Sequence, residues 1–437
     1  MARILTQPFS RGLVVEAPHA TLDGLLQQVG MTATRVDQVP DAAALIDALN
    51  ATEAQVLFKR SRVPVSAEVI AACPNLYAIQ LCCIGDDSVD KKAAADHGVM
   101  VFNDPVSNAR SVVELAVGHM VAMSRRLYET NAQMRRSEWH KTAVGRYEVA
   151  GKVLGVVGLG NIGRQVARHC EELGMTIQFF DNRLVAEEVG QELGWQRCSS
   201  MTELFRTSDA VTIHTSARDS QGQDNAFMLD EVLGQLGADR GENSPRLFLN
   251  LARGNLHRTE ALLDAVRSGA IRRAATDVFP SEPAPGAASE WVNPYADEPR
   301  IICTPHVGAA TQEAQPRIAR RVASTIGSFS QVGAMRDCVY DPRARLGGSV
   351  PDGARAALAV VHSTKRGTKK AVDDAIYEAG ASNLGSAHRD FPLGAAYDLS
   401  YLDRPLGRAE LEDLVTRAAK VANDANAIRT IRQVVLG

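Results

Sequence analysis

An α/β fold built around a parallel sheet is the class this sequence predicts, and three observations carry the prediction. Short β-branched or apolar runs alternate with helical stretches over the first three quarters of the chain. One of those runs ends in a glycine-rich turn that opens a helix with an apolar face. Beyond about residue 353 the order changes to βαββαβ, a ferredoxin-like unit.

The strand candidates are 55–58, 77–82, 153–158, 176–180, 209–214, 247–251, 274–278 and 301–304. They are apolar along their whole length, as strands of a parallel sheet covered on both faces must be. In the last quarter a strand near 357–361 precedes a helix near 368–378. Strands near 384–388 and around Tyr397, Leu399 and Tyr401 follow, then a helix near 408–423 and a strand at 427–434. Two breaks separate these regions. Pro283, Pro285, Pro294 and Pro299 mark 281–299 as a loop leaving one domain, and the Gly, Pro and Arg of 338–353 read as a linker.

At about 150 residues per domain, 437 residues suggest roughly three units. With 45% hydrophobic and 23% charged residues the chain is neither disordered nor collagen-like nor a coiled coil. The 48 Lys and Arg against 51 Asp and Glu, net −3, give no bulk attraction to nucleic acid or to an anionic membrane. MARILTQPFSRG has no apolar core of signal-peptide length. The most apolar stretch, 112–124, is interrupted by Glu114 and His119 and is too short to span a bilayer. Seven cysteines without a C-x-x-C fit reduced thiols in a cytoplasm, with Cys82 and Cys83 read as buried small hydrophobes. No metal site is expected.

Residues 153–163 read VLGVVGLGNIG. A G-x-G-x-x-G turn between strand and helix uses its glycines for a tight turn, a close approach to a pyrophosphate and helix–strand packing. The helix N-terminus then offers N–H groups and positive dipole to the phosphates. Gly158, Gly160, Asn161, Ile162 and Gly163 are therefore candidate cofactor residues. Asp181 lies 181 − 163 = 18 residues past the last glycine, after a second strand, where a carboxylate accepts from the ribose of NAD. Arg183, two residues on, softens that preference over NADP. NAD is the expected cofactor.

Three segments end strands in the second half of this sheet: 250–254, 276–283 and 304–308. Ligands of open α/β sheets bind outside the carboxyl ends of strands, so these side chains should converge. Oxidising an alcohol needs a base for the hydroxyl proton, a cation for a carboxylate and developing carbonyl, and an acid to fix the base's tautomer. His306, Arg253 and Glu282 are these three types.

The segments LNLARG, ATDVFPSEP and TPHVGAATQEAQ, with 83–120 almost throughout, resemble the signatures of the D-isomer-specific 2-hydroxyacid dehydrogenases. The resemblance runs from about Val56 to about Ala323. It implies a Rossmann NAD-binding domain (109–299) inserted in a discontinuous, flavodoxin-like substrate domain (1–108 and 300–336). The linker and an ACT-type ferredoxin-like regulatory domain then occupy 337–437. It makes His306 the general acid/base, Glu282 its partner and Arg253 the substrate-orienting cation, with Ala252, Asp277 and Gly308 on the nicotinamide side. The amides of Ile84 and Gly85 would hold the substrate carboxylate, with Asn108 and Arg110 beside the cleft. Trp139 and Lys141 match a region that reaches across a dimer, so a homodimer or homotetramer is expected.

The substrate turns on 58–62, where Lys59, Arg60 and Arg62 with Ser61 give three cations and a hydroxyl at a strand end that suit a phosphate. Arg60, Ser61 and Arg62 occupy the place of the phosphate-binding arginines in the branch of the family that opens L-serine biosynthesis. The implied reaction is NAD-dependent oxidation of 3-phospho-D-glycerate to 3-phosphooxypyruvate. A glyoxylate or hydroxypyruvate reductase is the nearest rival, and an NAD-sensing binding protein a rival of another class. The chain also departs from the pattern. His214-Thr215-Ser216 lacks the usual V-P and leads into a Gly/Asp-rich insertion before Arg246. The loop 362–367 keeps His362 and Gly367 but not the usual Asn and Pro, with Asn383 matching a second ligand position. Regulation through His362 and Asn383 is an open expectation.

Overall fold

The computed structural model describes residues 2–36, 40–218, 224–283 and 291–437. They form two compact units, Met1–Ser107 with Gln315–Gly437, and Asn108–Ala314.

The unit Asn108–Ala314 is a seven-stranded parallel sheet. Its strands lie in the order Ile301–Cys303, Arg273–Thr276, Leu247–Asn250, Ala210–Ile213, Val153–Val157, Thr176–Phe180, Gln196–Arg197. The order reverses between Val153–Val157 and Ala210–Ile213, as in a doubly wound Rossmann sheet. Successive residues alternate between two cores because strand side chains alternate between faces. Val156, Leu247 and Leu249 pack with helices Ala109–Arg125 and Asn161–Glu172 on one side. Val157, Val211 and Phe248 pack with helices Met201–Thr207 and Thr259–Arg267 on the other. The apolar stretch 112–124 is thus a core helix, and among the described residues no helix is long and apolar enough to cross a membrane.

The expected boundary at residue 300 moves. Ile301–Cys303 pairs with Arg273–Thr276 at the sheet edge, and the chain rejoins the other unit at Gln315.

That other unit holds two five-stranded sheets. The first is parallel, in the order Thr32–Val36, Arg11–Val15, Val56–Lys59, Ala78–Leu81, Met100–Phe102. Numbered along the chain this is 2-1-3-4-5, the flavodoxin-like order. The second contains the expected βαββαβ: Ala356–Ser363, Thr368–Glu378, Asn383–Phe391, Ala395–Leu402, Arg408–Ala422, Ile428–Val435. A fifth strand that sequence reading missed, Arg3–Leu5, pairs in parallel with Ile428–Val435.

The segment read as a linker is packed. Arg321 donates to both oxygens of Asp337 at 3.0 and 2.9 Å, Cys338 is buried, and Met335 bridges Leu346. Phe9, Phe102, Phe329, Ala359, Tyr397 and Leu399 form one core that unites the two sheets. The buried Arg432 guanidinium lies over the rings of Phe329 and Phe9 at 4.1 and 4.7 Å and donates to the carbonyls of Ser330 and Phe329. At about 2 kcal/mol for each large apolar side chain removed from water, this shared core couples the sheets firmly. The C-terminal segment is therefore no free-standing module on a flexible tether.

Candidate functional site

The turn after Val153–Val157 shows why its residues are glycines. Gly158 has φ +90°, and a Cβ there would come 2.6 Å from the His214 carbonyl oxygen. A Cβ at Gly163 would collide with the Gly158 carbonyl, so strand and helix touch through bare backbone. At Gly160, the N-cap of Asn161–Glu172, the nearest heavy atom to a Cβ would be 3.9 Å away. This glycine faces open space, as a backbone that lets a pyrophosphate approach must. Asn161 opens the helix and Ile162 packs partly on the core. The cradle fits NAD.

Asp181 follows the second strand and is 5% exposed. It is more engaged than the sequence suggested. Its Oδ1 accepts from the backbone N–H and Nε of Arg183, both at 2.9 Å. Its Oδ2 accepts from the Leu159 amide at 2.8 Å and Arg183 Nη2 at 2.6 Å. Burial alone would raise this carboxyl's pKa, but the hydrogen bonds and charge of Arg183 and the Leu159 amide outweigh it and hold it below the usual range. The Arg183 guanidinium is held charged in turn, chiefly by the same hydrogen bond. Arg183 thus covers both oxygens of the carboxylate that the sequence offers for the ribose.

The three catalytic candidates come from the carboxyl ends of neighbouring strands in this same sheet. Arg253 follows Leu247–Asn250, and its loop is braced by Asn250, whose Nδ2 donates to the Arg253 carbonyl at 2.9 Å and whose Oδ1 accepts from Ala252 N–H at 3.1 Å. Arg253 Nη1 donates to the Ala252 carbonyl at 2.8 Å. His306 Nδ1 lies 2.8 Å from Glu282 Oε2. A carboxylate accepts, so Nδ1 is the donor to Glu282 and Nε2 is the nitrogen outside this bond. His306 has φ +53°, a left-handed backbone that its surroundings must hold in place.

What holds that backbone is Asp277, 1% exposed. Its Oδ1 accepts from Thr304 Oγ1 at 2.6 Å and Val307 N–H at 2.9 Å, and its Oδ2 from Gly308 N–H at 2.7 Å. The structure thus places Asp277 and Gly308 inside the loop that carries His306. Thr304 is the partner that sequence reading missed.

In the other unit, Arg60, Ser61 and Arg62 follow Val56–Lys59. Arg60 is partly buried, and Ser61 and Arg62 are exposed. Beneath them lie Glu16, whose role here sequence reading passed over, and Lys59, which was expected as a third phosphate cation but is turned inward. Glu16 is buried at φ +63°, and its Oε1 accepts from the amides of Arg62 at 2.6 Å and Val63 at 3.1 Å. Lys59 is 0% exposed and donates to the Arg60 carbonyl at 2.8 Å and Ser88 Oγ at 2.6 Å, with Glu16 Oε2 at 3.8 Å. Burial pulls the Lys59 ammonium down, and Glu16 opposes this. The signal in the sequence was two charges interrupting apolar strand ends, at Val15-Glu16 and Phe58-Lys59. Ile84 and Gly85 are partly exposed, and their amides have no hydrogen-bond partner among the described residues. Cys83 is only half-buried, unlike Cys82.

The remaining candidates scatter. Asn108 is 6% exposed, and its Oδ1 is without a hydrogen-bond partner among the described residues. Arg110 is exposed, donating to Glu114 and lying 2.6 Å from His169 Nε2. Trp139 is 79% exposed, and Lys141 is exposed. His362 and Asn383 do not meet within the chain. On the strand Ala395–Leu402 they pair with Ala396 and Leu402, six residues and so about 20 Å apart. Residues 219–223 of the insertion and 284–290 of the proline-rich loop, Pro285 included, lie outside the described residues.

Comparison with known proteins identifies the family. Residues 117–308 match the NAD-binding domain of the D-isomer-specific 2-hydroxyacid dehydrogenases. A D-3-phosphoglycerate dehydrogenase from Haemophilus influenzae is 36% identical over 66% of this chain and 67% of its own length. That of Escherichia coli K12 is 34% identical over 76% of each. Among solved structures, a glyoxylate reductase from Paecilomyes thermophila superposes with a TM-score of 0.65 at 22% identity, covering 76% of this chain and 99% of its own. That likeness speaks to fold alone.

Proposed function

The chain belongs to the D-isomer-specific 2-hydroxyacid dehydrogenase family, and from that premise we propose that it oxidises 3-phospho-D-glycerate to 3-phosphooxypyruvate. This is the reaction that opens L-serine biosynthesis. The observation that supports the substrate is the Arg60-Ser61-Arg62 loop, whose backbone is pinned by Glu16 and Lys59 so that two guanidinium groups stand ready for a phosphate.

NAD, when bound, accepts the C2 hydrogen with its electron pair. His306 Nε2 takes the C2 hydroxyl proton, and Glu282 holds the ring through Nδ1 and stabilises the imidazolium that forms. Arg253 holds the carboxylate and the developing carbonyl. The amides of Ile84 and Gly85 are assigned to the substrate carboxylate, and Trp139 and Lys141 to a contact with a second copy in a homodimer or homotetramer. The βαββαβ segment is assigned a regulatory role, and seven free thiols support a cytoplasmic location.

The test is NADH formation with 3-phospho-D-glycerate, D-glycerate and D-lactate in the wild type and Arg60→Ala. Losing a charge-assisted hydrogen bond of about 1.5–3 kcal/mol raises KM for the phosphorylated substrate about 10- to 100-fold. D-Glycerate kinetics stay unchanged. Turnover of glyoxylate or hydroxypyruvate at full rate in both proteins, with no preference for a phosphate, assigns the chain to the reductase branch instead.

A further inference from the structure

In the βαββαβ segment, far along the chain from the residues assigned to catalysis, His362, His388 and Asp398 lie on three adjacent strands. His388 is directly opposite Asp398, and His362 is diagonal to it across the other neighbour. One nitrogen or oxygen from each lies within 4.8 Å of the others. We propose that these three residues form a binding site for a divalent transition-metal ion such as zinc.

Two ring nitrogens and one carboxylate converge. His362 Nδ1 faces the Ser363 carbonyl at 2.7 Å, and its Nε2 faces Asp398 Oδ2 at 2.9 Å. His388 Nδ1 faces Asp398 Oδ1 at 2.7 Å, and its Nε2 stands 3.3 Å from Asp390 Oδ1. His362 Nε2 and His388 Nδ1 thus both point at a carboxylate that is itself buried. A dication set among them would take one nitrogen from each ring and an oxygen of Asp398 as its ligands.

The donor set of two imidazoles and a carboxylate suits zinc and its neighbours rather than calcium or magnesium. The Ser363 carbonyl and Asp390 are the outer partners that orient metal-bound imidazoles. Tetrahedral zinc with bonds of about 2.0–2.2 Å wants its ligand atoms about 3.3 Å apart, so each contact widens by about half an ångström. His388, its side chain 35% exposed, can turn that far and leaves the ion open to a further ligand. Lys369, 3.8 Å from Asp398 Oδ1, is the competing cation, and Asp373 at 2.5 Å receives it when the metal enters.

The test uses the full chain, stripped with chelator and dialysed against zinc chloride, in the wild type and His388→Gln. Wild type takes up one more zinc per chain than the variant, and zinc raises its Tm while leaving that of His388→Gln unmoved. Cobalt(II) added to wild type gives the visible absorption of a tetrahedral nitrogen–oxygen site, absent in both His388→Gln and Asp398→Asn. Equal zinc content in wild type and His388→Gln, or a cobalt spectrum that both variants retain, overturns the proposal.

Discussion

Two histidine–carboxylate pairs in this molecule have almost the same geometry and opposite circumstances. His306 and Glu282 stand 2.8 Å apart with side chains 40% and 29% exposed. His362 and Asp398 stand 2.9 Å apart with side chains 2% and 3% exposed. In the first, one ring nitrogen is bonded and the other keeps a lone pair for solvent or substrate. In the second, both nitrogens are committed to oxygens inside the sheet. The contact distance alone does not separate the pair proposed to move a proton from the pair proposed to hold a metal. What separates them is whether the second nitrogen is open to solvent or bonded within the sheet.

The comparison breaks most visibly at the exposed pair. His306→Asn is expected to lower kcat by about 10²- to 10⁴-fold, the usual worth of a positioned acid/base, while NADH binding followed by fluorescence stays within a factor of two. Unchanged turnover would remove His306 from the mechanism. At the buried pair the effect moves to stability. Asp398→Asn leaves His362 and His388 without their anion and costs about 3–5 kcal/mol in urea unfolding, with turnover per folded molecule retained. A loss below about 1 kcal/mol would show that the pair is solvated.

A third histidine, with no carboxylate, sharpens the contrast. Among the described residues His214 Nε2 meets only Thr212 Oγ1, at 2.9 Å, and burial pushes its pKa down to about 3. The unfolded chain takes up a proton below about pH 6.5 that the folded chain refuses, so stability falls as pH drops from 6.5 toward 3. Relative to His214→Gln, wild type should lose about 1.4 kcal/mol by pH 5.5, read as Tm differences at pH 7.5 and 5.5.

How much of this was legible in the sequence depends on the distance over which each residue acts. The glycine turn was, because Gly158 and Gly163 answer to backbone within a few residues or the next strand. So was the βαββαβ order, from alternation at Tyr397, Leu399 and Tyr401. The His306–Glu282 pair was read from residue types at strand ends, and the geometry agrees. Glu16 showed only as a charge at an apolar strand end, and nothing local said that it meets Arg62, 46 residues away. Nor did anything local place Asp398 between His362 and His388, because register across strands decides which polar side chains meet. Arg183 was noticed, but its grip on Asp181 was not, since nothing in spacing says that a neighbour folds back. The packing of 338–353 was hidden for another reason: Gly and Pro report turns, and turns can be buried.

The strand Arg3–Leu5 has a consequence for the order of assembly. Its partner residues, Thr430 to Arg432, lie more than 400 positions later in synthesis. The stretch Asn108–Ala314 contains every strand of its own sheet and can complete it while the rest is still being made. Arg3–Leu5 is thus made long before its partner strand and must stay unpaired meanwhile. Three half-buried residues make a sticky edge that is short enough to wait.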